Sequence, residues 1–335
     1  MALFYKNILA VLIGIIIALI IGEIIINLFV QLPERTYRHM FTEDKFLGYK
    51  LKPKFSGKTA DVDIFIDKNG FRTDVKEKTY YNHDIITIGD SMVFGHLIAY
   101  EDTFQSRLEQ KTGYKILNAG TSGYNLNQSY NLLESYLSNK KNIFPILGID
   151  VGSDLRNQID EGVDHLQVYK GRLYSSNPRN SFINRSRAYL SEVSDLYYWV
   201  IEVNLKKFYN IIKKLAKNDS FELSRFDITD NEAEYEKKKI LITEYIRRYK
   251  ALTNNKIIIM LIPSVYDMGS ISRNNTYNIT LEILKTEKVS FIDLRQHFEN
   301  SGYKYEKLIL ANNDWHWNEI AHELVSEILY DKITN

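Results

Sequence analysis

An α/β fold with a mainly parallel sheet, preceded by one transmembrane helix, is what the sequence predicts. Three observations predict it. The first thirty residues carry an apolar run too long and too uniform for an ordinary core helix. From Asp84 onward, short apolar runs alternate with stretches of helical period, the pattern of strands joined by crossover helices. Polar clusters then fall just after several of those runs, where open parallel sheets gather their ligands.

The anchor comes first. After a short tail of residues 1–7, ILAVLIGIIIALIIGEIIINLFV runs from Ile8 to Val30 and is interrupted by Glu23 and Asn27. At 1.5 Å per residue this run covers about 35 Å, enough to cross a bilayer. INLFVQLPERTYR offers no small-residue cleavage site, so an uncleaved anchor is expected rather than a signal peptide. Glu23 is costly in lipid and lies one turn before Asn27 on the same face. That pair suggests a transmembrane partner helix, or a tilt that carries it to the interface. Lys6 precedes the span while Arg35, Arg38 and Lys45 follow it, so charge gives no clean orientation and leans towards a folded part inside. The folded part is placed outside the cytoplasm on architecture alone.

Residues 31–82 read as a stalk and a small β lead-in. LPERTYRHMFTEDKFLGYKLKPKF is a stalk followed by an extended segment, and DVDIFIDKNGFRTD is strand, turn, strand with Asn69-Gly70 as the turn. The main domain covers 83–333. Its strands are DIITIGD, YKILNAG, NIFPILGID, KIIIMLIPS and VSFIDLR, with apolar runs suited to burial on both faces. Its helices are EDTFQSRLEQKTG, NLNQSYNLLESYLSNKK, TYNITLEILKTEK and the closing WNEIAHELVSEILYDKI. Residues 157–254 break the alternation with a long aromatic helical stretch, YLSEVSDLYYWVIEVNLKKFYNIIKKLAK. They are read as a helical insertion over the sheet edge or active-site mouth, whose aromatic residues either pack or touch a membrane surface. EAEYEKKKILITEYIRRYKALTNN supplies the helix before the fourth strand.

Composition narrows the function. Basic and acidic side chains number 43 and 42, with no basic run interleaved with aromatics, so nucleic acid is not an expected partner. Cysteine is absent, which removes thiol nucleophiles, Cys-ligated zinc and disulfides. No cofactor and no metal is expected.

Ser91, in ITIGDSMVFG, is either a nucleophile or the cap of the following helix. His316 is the candidate base, able to take the Ser91 proton and return it to a leaving group; alone, it would be a surface or core histidine. Asp314 could orient that imidazole and stabilise its charged form, or simply cap the last helix. Trp315 and Trp317 flank the histidine and could anchor the loop. Gly123 and Ser91 could donate backbone amides to an oxyanion, whereas Gly123 could also serve only a tight turn. Asp90, Asn118, Asn125 and Asp154 are loop-bracing candidates, and His96 is a wall residue.

Taken in order, Gly89-Asp90-Ser91, NAGTSG at Asn118–Gly123, GSD at Gly152–Asp154 and DWHWN at Asp314–Asn318 resemble the SGNH, or GDSL, hydrolase family over roughly residues 83–333. The resemblance implies a flavodoxin-like three-layer αβα sandwich and action on esters, often acetyl groups on sugars or acyl groups on lipids. It implies Ser91 as nucleophile, His316 as base, Asp314 as its acid, and Gly123 with the Ser91 amide at the oxyanion. Two departures stand out. The family's third block usually carries an oxyanion Asn where this chain has Ser153, a shorter donor. Many members place the acid three residues before the histidine, where this chain has Asn313. The Asp-x-His spacing also resembles membrane-associated members that transfer or remove acetyl groups on extracellular polysaccharides. Three functions are therefore carried forward. They are a serine esterase, an O-acyltransferase acting on a cell-surface glycan, and a weakened glycan-binding or scaffold protein.

Overall fold

The structure, a computed structural model, describes residues 2–30, 32, 39–59, 62–74, 82–140, 142–151, 154, 166–174, 181–205, 208, 232–264, 268, 275–310 and 314–334. They divide into two compact units. One takes residues 1–34 and 177–227, and the other takes 35–176 and 228–335.

The first unit holds the helix Ala2–Phe29. Its stretch Phe4–Phe29 is long and apolar enough to cross a membrane. The insertion read at 157–254 supplies a helix at Phe182–Val193 that runs into the start of the aromatic stretch, a short turn at Asp195–Tyr197 and a π-helical segment at Tyr198–Leu205.

The second unit is built on strands β1 (Phe41–Asp44), β2 (Gly48–Leu51), β3 (Ser56–Thr59), β4 (Val62–Ile66), β5 (Arg72–Thr73), β6 (Ile85–Ile88), β7 (Ile116–Asn118), β8 (Phe144–Asp150), β9 (Gln167–Tyr169), β10 (Arg172–Tyr174), β11 (Ile258–Ile262) and β12 (Ser290–Asp293). Its helices are α1 (Ser91–Phe94), α2 (Phe104–Thr112), α3 (Leu126–Asn139), α4 (Glu232–Leu252), α5 (Asn275–Thr286), α6 (Leu294–Asn300) and α7 (Glu319–Thr334). The main sheet runs β12-β11-β8-β6-β7-β5-β4-β3.

Alternation along the strands creates two cores, one on each face. Ile86 and Ile88 of β6, Leu147 and Ile149 of β8, and Ile259 and Leu261 of β11 face α3, α4 and α5. Ile85, Ile146, Ile258 and Met260 face α2, α6 and α7. The result is an α/β/α sandwich of three layers.

The sheet is mixed, which corrects the expectation of a mainly parallel one. β12, β11, β8, β6 and β7 pair in parallel. β5, β4 and β3 then extend the edge antiparallel, with Arg72 opposite Asn118. For β4 and β5 the physical reason is the Asn69-Gly70 turn. Gly70 sits at φ +91°, and the Asp67 carboxylate accepts the amides of Asn69 and Phe71 at 2.8 and 2.9 Å. So tight a turn joins antiparallel neighbours only.

The lead-in therefore joins the core. Met40, Phe41, Tyr49, Leu51, Ile64 and Ile66 form a third apolar cluster with Phe94 and Tyr124. The stretch read as a stalk contains the β1–β2 hairpin.

One core group ties this packing to pH. His322 of α7 is buried, accepts the Phe104 amide at Nδ1 (3.1 Å) and stacks on the Phe104 ring. Burial, with help from Arg72 and Arg107, pushes its pKa down to about 3. The unfolded chain would protonate this histidine near pH 6.5 while the folded one does not, so stability falls as pH drops through that window. The expected slope from this group is about 1.4 kcal/mol per pH unit between about pH 6 and 3. Urea unfolding of His322→Gln, which keeps an acceptor but cannot titrate, should show that slope reduced.

Candidate active site

β6 is the first strand of the parallel region. The chain crosses from it to β7 on one side and then to β8 on the other. Its carboxyl end is thus a topological switch point, the position where such sheets bind ligands. Ser91 stands there.

The turn that presents Ser91 is built on glycines. Gly89 has φ +155°, and a Cβ on it would lie 2.6 Å from Val93 Cγ2 and 2.9 Å from the Gly148 carbonyl. A Cβ on Gly120 would lie 2.3 Å from the Phe94 nitrogen. The first turn of α1 is therefore sunk against its neighbours where side chains cannot fit. The Asp90 carboxylate accepts the Met92 amide at 2.9 Å, so Asp90 is the cap of α1. The Ser91 hydroxyl is left for another partner.

That partner is His316. Its Nε2 lies 2.8 Å from Ser91 Oγ, and its Nδ1 lies 2.6 Å from Asp314 Oδ1. A carboxylate only accepts, so Nδ1 carries the proton and the Nε2 lone pair faces the hydroxyl. Asp314 Oδ1 also accepts the His316 amide at 3.1 Å, and Asp314 Oδ2 lies 3.4 Å from His96 Nε2. Burial pushes the Asp314 carboxyl up, but hydrogen bonds from His316 and His96, with the charge of His316, hold it well below the usual carboxylate range. His96 is buried with its ring centroid 4.0 Å from that of His316. Burial lowers its pKa despite the bond to Asp314.

The loop bearing these groups is fixed from below. Leu310 donates to the His316 carbonyl (2.8 Å), Asn318 donates its amide to Leu308 (3.0 Å), and Ile309 bridges Trp317. Asn318 Oδ1 accepts the Ile320 and Ala321 amides, so Asn318 rather than Asp314 caps α7. Trp317 is buried against Phe298, whereas Trp315 is 43% exposed.

The remaining candidates divide. Asn118, fully buried, donates to the Phe94 carbonyl (3.3 Å) and accepts the Gly120 amide (3.0 Å). Thr121 donates to the Gly89 carbonyl at 3.0 Å, which ties the NAGTSG loop to the Ser91 turn. Gly123 has φ +80°, so a tight turn does require glycine there. Among the described residues, neither the Ser91 nor the Gly123 amide has an acceptor. Asn125 caps α3 in a capping box with Gln128. Asp154 accepts the Asp150 amide at 3.0 Å. Ser153 and Asn313 lie outside the described residues. His96, Asp314 and His316 also bring three possible metal-ligand atoms within 4.8 Å, and hydrogen bonds among themselves and to Ser91 already engage them.

Sequence reasoning missed Arg72. It is buried, lies over the Phe94 ring, and donates to the Phe94 and Gly95 carbonyls at 2.5 and 2.6 Å and to the Ile98 carbonyl. It thus satisfies the C-terminal carbonyls of the helix that carries Ser91. Arg72→Leu should destabilise the fold by about 3 to 5 kcal/mol, because buried acceptors lose their donors. Arg72→Lys should restore little, since one ammonium cannot span three carbonyls. Chemical denaturation of the detergent-solubilised chain checks both.

No family model and no curated relative matches the chain. Solved structures that it is similar to include a lipolytic protein of the G-D-S-L family from Veillonella parvula, at 12% identity over 75% of this chain and 98% of that one, with TM-score 0.42. A catalytic mutant of an acetylxylan esterase from Geobacillus stearothermophilus is similar at 14% identity over 77% and 97%, TM-score 0.41. A lipase/acylhydrolase from Enterococcus faecalis is similar at 11% over 75% and 95%, TM-score 0.41.

Proposed function

We propose that this chain is a membrane-anchored serine ester hydrolase of the SGNH type. The observation that carries the reading is the line of hydrogen bonds Asp314–His316–Ser91, at 2.6 and 2.8 Å, on the switch-point turn. Ser91 Oγ attacks the ester carbonyl as its proton passes to His316 Nε2. The imidazolium that forms is stabilised by Asp314. The Ser91 and Gly123 amides receive the oxyanion. His316 then gives its proton to the departing alcohol, leaving an acyl group on Ser91. A water deprotonated by His316 releases the acid and restores the serine.

A second reading keeps the first half of this sequence and replaces water with a sugar hydroxyl, giving an O-acyltransferase. Trp315, an exposed indole between Asp314 and His316, suits the apolar face of a pyranose and so supports a glycan ester under either reading. The anchor holds the site at a membrane, on the extracytoplasmic side, against an ester on a glycan or lipid. The full chain in detergent is expected to hydrolyse an activated short acyl ester. Acetylated oligosaccharides and short-chain lipids, compared with and without an added acceptor sugar, separate hydrolysis from transfer. A folded chain that turns over none of these, and that instead retains acetylated glycan on a column, supports the binding-protein reading and overturns the esterase.

A further inference from the structure

Glu23 has its hydrogen-bond donors within its own unit. Its carboxylate accepts the Ser194 hydroxyl at 2.7 Å and the backbone amides of Asp195 and Leu196 at 2.6 and 3.2 Å. Gly22 admits the contact, since a Cβ there would lie 3.0 Å from Leu196 Cδ2. Ile26, one turn on, is buried, while most of the helix's other large apolar side chains are exposed. The chain thus clamps the start of the Asp195–Tyr197 turn onto one face of the spanning helix. Glu23 lies six residues before the helix ends at Phe29, about 9 Å along the axis.

The helix Phe182–Val193, just before the clamp, is amphipathic in an unusual sense. Ala188 and Ser191 on one side are buried. On the opposite arc Phe182, Ile183, Leu190 and Val193 are 75, 67, 39 and 56% exposed, beside Tyr189. Phe182, Ile183 and Leu190 recur at seven- and eight-residue spacings and Val193 falls eleven residues after Phe182, so they share one face. Arg185 and Arg187 border that arc on either side. Val200 and Leu205 continue the exposed apolar surface beyond the clamp.

We propose that residues 181–205 form an interfacial membrane element, its apolar arc seated among lipid acyl chains and its arginines at the headgroups. The occupant is a bilayer rather than a protein for two reasons. The arc belongs to the same unit as the spanning helix and is clamped to it. If the helix end at Phe29 marks the membrane boundary, the clamp about 9 Å before it also falls within the roughly 5 to 10 Å depth at which amphipathic helices lie in the headgroup–acyl boundary. Flanking arginines fit a lipid surface, where long cationic side chains keep their heads in the polar layer. Glu23 then serves as a depth stop, satisfied by backbone amides instead of a second spanning helix.

The absence of cysteine makes the test clean. Ile183→Cys, Val193→Cys and, as control, the exposed Lys58→Cys are each labelled with an environment-sensitive fluorophore in the full chain. The labelled chains are reconstituted in phosphatidylcholine–phosphatidylglycerol vesicles. Labels at 183 and 193 are expected to shift to the blue and lose most of their emission to nitroxide-bearing lipid, while the label at 58 keeps its emission. Quenching of the 183 and 193 labels by aqueous iodide, with no effect of nitroxide lipid, overturns the proposal. Protection from both quenchers marks a face covered by a second copy or another protein, and overturns it equally.

Discussion

Ser91→Ala is expected to lower kcat for an activated short acyl ester by about 10⁴-fold or more, while the chain keeps its circular dichroism and unfolding midpoint. The size follows from the covalent route. Without Oγ no acyl-enzyme forms, and what remains is the oxyanion site acting on water. The fold is spared because Asp90, not Ser91, caps α1, and the described contact of the Ser91 hydroxyl is with His316. His316→Ala should lose nearly as much, and the double variant little more, because the two act as one device. A Ser91→Ala chain with parental rates would remove Ser91 from the reaction. Loss of both rate and fold would instead assign it a structural role.

Asp314→Asn is expected to lower kcat by about 10³- to 10⁴-fold with little change in KM. Two imidazoles face this carboxylate, His316 at 2.6 Å on one oxygen and His96 at 3.4 Å on the other. An asparagine has a single acceptor oxygen, so one imidazole must meet an NH₂ group. If that one is His316, its proton moves to Nε2 and the nucleophile loses its base. Even in the other orientation, the imidazolium formed during attack has lost its counter-charge. A loss of tenfold or less would argue that Asp314 does no more than hold the loop. Steady-state kinetics on the purified full chain separates the outcomes.

The parts of this site that the sequence carried were those with local signatures. β6 could be read because three isoleucines, broken only by the β-branched Thr87, precede a Gly-Asp-Ser turn, and α7 because its apolar positions keep helical spacing. The order of GDS, NAGTSG and DWHWN pointed to Ser91, Gly123, Asp314 and His316, and the structure brings Ser91, His316 and Asp314 into hydrogen-bonding reach. What was not legible depends on contacts remote in sequence or on competition between adjacent residues. Asp90 and Ser91 are both good caps, and only backbone geometry decides between them. Asp314 and Asn318 pose the same choice, settled by which side-chain oxygen reaches the Ala321 amide. β5 is two residues long, too short to show alternation, so neither the antiparallel extension of the sheet nor the reach of Arg72 to the Phe94 carbonyl could be anticipated. His96 read as a wall because a lone histidine carries no pattern. Asn27 stands four residues from Glu23 and could be paired with it by eye, but the other donors to Glu23, from Ser194, Asp195 and Leu196, stand 171 to 173 residues away.

The central claim is that Ser91 is a nucleophile made reactive by His316, and covalent trapping tests it most directly. The full chain in detergent is treated with a serine-directed fluorophosphonate, digested, and the adduct mapped by mass spectrometry. The label is expected on the peptide containing Ile88–Gly95, at Ser91, and it should be lost in His316→Ala. A folded chain that reproducibly takes no label, or takes it elsewhere, would contradict the account.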